Sequence, residues 1–159
     1  MTSVAFHLHV GADERAVRGY LCRLLAKAYA ARARVWVVVE PPAVAALDEA
    51  LWTLPADDFV PHVRADQPEM LLRRSPIVIA APQQPPQGVR DVLVNAQPQW
   101  LAWIEAAAPA RVIEVVGSDE QLKAQARLRW RRYQQLGWPL QVHDRAARSA
   151  AMSELAQEG

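Results

Sequence analysis

The stretch Val35-Trp36-Val37-Val38-Val39 constrains the fold more than any other part of the chain. A strand with one face on water alternates apolar and polar side chains, because successive Cβ atoms point to opposite faces of the sheet. This run has no polar face, so it predicts a central strand covered on both sides, as in sheets flanked by helices. Pro41 and Pro42 end it. The segment that follows carries Val44, Leu47 and Leu51 at helical spacing, with Pro42 near the first turn, where a missing N–H costs little. Upstream, Val4 to Val10 alternates as a strand, and Gly11 and Asp13 open a segment whose Val17, Leu21, Leu24 and Ala28 fall at helical spacing. The order is β-α-β-α. Apolar runs at Ile77 to Ala80, Val92 to Asn95 and Arg111 to Val116 add strands, the first two separated by the Pro-rich loop Ala81 to Gly88. Strands alternating with helices predict a mainly parallel sheet in a three-layer α/β domain.

The clearest helix spans Ser118 to about Gly137. Ser118 with Gln121 matches a capping box, and Asp119 and Glu120 place negative charge at the positive end of the helix dipole. Pro139 to His143 is read as a last short strand. Beyond Asp144 the chain is Ala-rich and polar, which predicts one domain over 1–144 and an extension over 145–159 that is a frayed helix or disordered.

With 159 residues, 52% of them hydrophobic, the chain can bury one substantial core. Its net charge of +1 argues against a protein that coats nucleic acid or a membrane surface. Among 18 basic residues only Lys27 and Lys123 are lysines, so the positive charge sits mostly on guanidinium groups suited to gripping carboxylates. The single cysteine, Cys22, lies in an apolar helical pattern and fits a reducing compartment. No run approaches the ~20 apolar residues that cross a bilayer, and no signal segment is visible, so a cytoplasmic location is expected.

Nucleotide binding is the first enzyme reading of a β-α-β chain, but a phosphate-cradling loop needs closely spaced glycines or Gly-Lys-Ser/Thr at the strand-helix junction. The junction His9-Val10-Gly11-Ala12-Asp13 has one glycine and no lysine. His7 and His9 are expected on one face of a strand, yet no third ligand at motif spacing supports a metal. His62, after Phe59-Val60-Pro61, reads as part of a turn, and adjacent Asp48 and Glu49 point in different directions, as residues of a solvated face do. No catalytic residue, cofactor or metal ligand is expected.

On the last helix, Leu122, Ala126, Tyr133 and Leu136 form the arc that faces the core. Beside it lie Lys123, Arg127, Trp130 and Gln134. Two cations next to a large aromatic suit an acidic peptide that also offers an apolar side chain. Arg129 projects into the apolar arc, so it must either snorkel outward or pair with a carboxylate. A rival reading has Arg127, Arg129, Arg131 and Arg132 gripping nucleic acid directly, but these arginines spread around the helix rather than forming one phosphate-tracking stripe.

The string Leu47-Asp48-Glu49-Ala50-Leu51-Trp52, followed by Pro55 and Phe59-Val60-Pro61-His62, resembles the most characteristic stretch of the chi subunit family of the bacterial DNA polymerase III clamp-loader assembly. Leu122-Lys123-Ala124-Gln125-Ala126-Arg127, leading to Tyr133, Gly137 and Trp138, is similar to the same family's last helix. The resemblance implies a Rossmann-like α/β domain without its phosphate loop, acting as an accessory subunit that catalyses nothing. It implies two partners. One is the psi subunit or an equivalent clamp-loader protein, against Trp52, Pro55, Phe59 and Pro61. The other is the acidic C-terminal tail of single-stranded-DNA-binding protein, ending in Asp residues and Ile-Pro-Phe, against Val116, Lys123, Arg127 and the aromatic position held here by Trp130. Single-stranded DNA is then reached only indirectly. The family commonly has Tyr where Trp130 stands, and the loop from Ala65 to Ser75 departs from its glycine-rich pattern.

Overall fold

The computed structural model describes residues 1–88 and 90–146. Its elements are β1 (Ser3–Leu8), α1 (Glu14–Ala30), β2 (Val35–Val38), α2 (Pro41–Trp52), a 3-10 turn (Ala56–Asp58), β3 (His62–Arg64), α3 (Glu69–Arg74), β4 (Ile77–Ala80), β5 (Val92–Asn95), α4 (Ile104–Ala107), β6 (Arg111–Val115), α5 (Glu120–Leu136) and β7 (Leu140–Asp144). The strands form one seven-stranded sheet in the order β3-β4-β2-β5-β6-β1-β7, and every pair is parallel.

The run without a polar face lies where its composition requires, between β4 and β5, and all four residues of β2 are buried. Alternation then divides it between two cores. Val35, Val37 and Val39 pack with Leu21 and Leu25 of α1 and Leu47 and Leu51 of α2. Trp36 and Val38 pack on the opposite side with Leu72 of α3, Ile104 of α4, and Ala126 and Tyr133 of α5. The domain is thus three layers, helix, sheet and helix. Trp36 is 1% exposed, and its indole N–H donates to the Gln84 carbonyl at 3.1 Å, so the Pro-rich loop satisfies the one polar atom this residue brings into the core.

Two details differ from expectation. Ser118 is not the helix cap: the Asp119 carboxylate accepts from the backbone N–H groups of Gln121 and Leu122, so α5 starts one residue later. His9 has φ +56°, which ends the alternation of β1 and parts it from His7. His7 turns to the Tyr20 hydroxyl on α1, whereas His9 reaches Asp144 and Lys123 on the other side. The expected stop at Gly137 is present, with φ +75° in the left-handed region that glycine adopts without strain. Of the extension expected over 145–159, residues from 147 onward lie outside the described residues.

Candidate protein-binding surfaces

Beneath α5 lies a buried polar network. Glu114 on β6 is 0% exposed amid apolar neighbours, and its carboxylate accepts from Asn95 Nδ2 at 2.9 and 3.1 Å, Arg129 Nε at 3.1 Å and the Tyr133 hydroxyl at 2.7 Å. Arg129 also donates to the Pro98 carbonyl, and Gln97 bonds Asn95 Oδ1 at 2.9 Å. Arg129 therefore pairs with a carboxylate instead of snorkelling. A buried charge without a partner is costly, so this pairing fixes the rotation of α5 about its axis. Burial, with the Glu114 charge second, pushes the Tyr133 hydroxyl well up, so it stays a donor.

That rotation presents Lys123, Arg127 and Trp130 along one side of α5. Arg127 is exposed; Trp130 is half-buried, its ring 5.3 Å from Phe6 in an edge-on contact. Lys123 Nζ lies 2.6 Å from Glu120 Oε1 and 3.4 Å from His9 Nε2. Val116 is only 2% exposed and packs in the apolar cluster that includes Leu122 and Trp130. Its side chain forms the floor under this face and is not an open contact. Arg129, committed to Glu114, is withdrawn from any phosphate-binding set, and Arg132 lies 4.4 Å over the Trp100 ring.

A second surface forms where α2 ends. Trp52 is 60% exposed and Phe59 38% exposed, and their rings lie 5.3 Å apart. Both also meet His62, at 5.0 and 6.2 Å. Pro55 is exposed and Pro61 half-buried on either side of the 3-10 turn, setting the path that folds Phe59 back onto Trp52. His62 is not a turn residue but the first residue of β3, and Asp48 is not on a solvated face. Nδ1 of His62 donates to the Val60 carbonyl at 2.6 Å, and its Nε2 lies 3.2 Å from Asp48 Oδ1, within ion-pair distance but not aligned as a hydrogen bond. Arg64 holds the other Asp48 oxygen at 3.0 Å. Asp48 thus supports the aromatic pair from behind. Trp52 and Phe59 belong to α2 and its following loop, Lys123 and Arg127 to α5, so the two surfaces share no residue.

The carboxyl ends of the strands, where sheets of this type hold ligands, enclose a cavity of about 390 Å³. It is mainly apolar, and Asp13, Glu40 and Asp119, the capping residues of α1, α2 and α5, all line it. Carboxylates therefore stand where a phosphate would seek helix N-termini. A Cβ on Gly11 would lie 2.7 Å from that of Ala16, so this glycine serves the close approach of the β1–α1 turn to its own helix. Among the described residues no group of three or more His, Cys, Asp or Glu could hold a metal ion, and no helix is long and apolar enough to cross a membrane.

The fold and these surfaces define a parallel α/β domain whose phosphate position is taken by acids and whose distinctive chemistry lies outside, in an aromatic patch and a cationic helix face. The family model described as DNA polymerase III chi subunit, HolC, matches residues 1–141. The chain is 32% identical over 126 residues to the DNA polymerase III subunit chi of Escherichia coli (strain K12), covering 79% of this chain and 83% of that one. It is 29% identical over 144 residues to the protein of the same name from Pseudomonas aeruginosa, covering 90% and 96%. The chain belongs to the DNA polymerase III chi subunit family, accessory subunits of the replicative polymerase.

Proposed function

We propose that this chain is a non-catalytic adaptor that joins the clamp-loader assembly to protein-coated single-stranded DNA. The psi subunit, or an equivalent clamp-loader protein, docks on Trp52, Pro55, Phe59 and Pro61. The acidic C-terminal tail of single-stranded-DNA-binding protein lies along Lys123, Arg127 and Trp130, with Val116 beneath. The observation that carries this reading is the Trp52–Phe59 pair, two large aromatics in tilted contact on the surface, 60% and 38% exposed. Such patches on a small domain mark contact with another protein, and aromatic anchors dominate the energy of such contacts. The cationic face supports the other half: guanidinium and ammonium groups steer and clamp carboxylates, and the indole offers an apolar contact.

A gel-shift experiment with a single-stranded oligonucleotide tests the adaptor role. The chain alone is expected to leave the oligonucleotide unshifted, and to join the complex once single-stranded-DNA-binding protein is present. Recruitment should weaken as salt shortens the Debye length below ~10 Å, its value at about 0.1 M. Tight, salt-sensitive binding to the naked oligonucleotide would contradict the proposal and favour direct recognition by the arginines of α5.

A further inference from the structure

Lys123 is not free to meet a ligand. Its ammonium is held at 2.6 Å by Glu120, one turn back on α5, and stands 3.4 Å from Nε2 of His9. Nδ1 of His9 meets Asp144 Oδ1 at 2.8 Å. The Glu120 side chain is 82% exposed, and the hydrogen bond from Lys123, with its charge second, holds the carboxyl below the usual carboxylate range. His9 occupies the left-handed region at φ +56°, uncommon for a residue other than glycine, and this conformation aims its ring at Lys123.

We propose that Glu120 occupies in cis the carboxylate position that an acidic peptide takes on this face, and that His9, oriented by Asp144, is the second donor to that position and takes up a proton when the peptide arrives. This deepens, and rests on, the reading of the α5 face given above. With Nδ1–H donating to Asp144, neutral His9 presents the Nε2 lone pair, which accepts from the Lys123 ammonium. An imidazolium there, although Asp144 counters its charge at Nδ1, would set an Nε2–H donor against that ammonium at 3.4 Å. A peptide carboxylate that displaces Glu120 and settles between Lys123 and His9 reverses this balance. Its charge stabilises the imidazolium, Nε2–H donates to it, and the proton comes from solvent. Among the described residues, the groups that meet His9 are Asp144 on β7 and Lys123 on α5, with Glu120 behind the lysine; His7 turns away to Tyr20, and His143 meets His7. Because the proposed binding takes up a proton, affinity for an acidic peptide is expected to be higher at about pH 6 than at about pH 8.

The test uses the full chain and a synthetic peptide of several Asp residues followed by Ile-Pro-Phe. Fluorescence anisotropy is read at about pH 6 and about pH 8, and calorimetry in two buffers of different ionisation enthalpy counts protons. Glu120→Gln is expected to tighten binding about two- to fivefold, the scale of an exposed ion pair, and to do nothing in a Lys123→Met background. The wild-type chain is expected to take up a substantial fraction of one proton; His9→Asn, which tolerates the left-handed backbone, should take up none and show a flattened pH dependence. A Glu120→Gln gain that persists without Lys123 would reduce it to general charge repulsion and overturn the proposal, as would proton uptake unchanged in His9→Asn. Arg127→Glu losing the peptide while these variants match wild type would overturn this proposal and leave the α5 reading standing. A wild-type chain that ignores the peptide would overturn both.

Discussion

The α5 face and the α2 patch are each backed by a carboxylate, but the two are buried to different depths. Glu114, behind α5, is 0% exposed and takes four donor contacts from Asn95, Arg129 and Tyr133. Asp48, behind Trp52 and Phe59, keeps 17% of its side chain in solvent and answers His62 and Arg64. The first network holds a whole helix in rotation and presents long charged side chains. The second trims one corner of the domain and presents two rings that already touch. Long charged side chains take their direction from the helix that carries them, whereas the two aromatic rings bring their apolar area together directly.

The largest effect should come from the deeper network. Arg129→Met leaves the Glu114 charge without its cation and is expected to destabilise the fold by ~3–5 kcal/mol in denaturant unfolding. Adding Glu114→Gln should restore much of the loss, since no buried charge is then left unpaired. If Arg129→Met cost no more than a surface substitution, the contrast in depth would be wrong. The outer patch should behave in the opposite way. Trp52→Ala and Phe59→Ala are expected to cost less than about 1 kcal/mol, against ~3–5 kcal/mol for Trp36→Ala in the core. Thermal melts of the three variants decide this.

A smaller effect separates the two sides of β1. Burial, then the neighbouring His143, pushes His7 down to about 4. The unfolded chain holds the ordinary value near ~6.5, so between these values the unfolded state binds more protons and stability falls as pH falls. Above ~6.5 both states are neutral and the contribution is complete. His7→Gln is expected to flatten the unfolding midpoint between about pH 6.5 and about pH 5, where carboxylates remain ionised. An unchanged slope would place the acid sensitivity elsewhere.

Much of the sheet was legible because an unbroken apolar run admits few alternatives, and β2 lies between two strands as Val35 to Val39 require. The elements missed were short. β3 has three residues and α3 six, too few for a period to emerge, and both lie in a stretch of Arg, Asp, Gln and Glu. On α5 the need for an Arg129 partner was readable, but its identity was not, since Glu114 lies fifteen residues away on a strand. The usable signal was a lone carboxylate within Val-Ile-Glu-Val-Val, which no strand buries without a cation or donors nearby. Asp48 was misread because adjacency to Glu49 suggested a solvated face, while its partners, His62 and Arg64, arrive from a later strand. His9 was read as sharing a strand face with His7, and its meeting with Lys123 was not legible, because the positive φ that turns His9 toward α5 leaves no trace in the residue pattern.

The independence of the two surfaces is the central claim, and it is tested most directly by measuring Arg127→Glu and Phe59→Ala, each confirmed folded, against both the acidic tail peptide and the purified clamp-loader partner. Arg127→Glu should lose the peptide and keep the partner, while Phe59→Ala should lose the partner and bind the peptide as wild type does. A folded variant that loses both ligands, or a Phe59→Ala chain that keeps the clamp-loader partner at full affinity, would contradict the division.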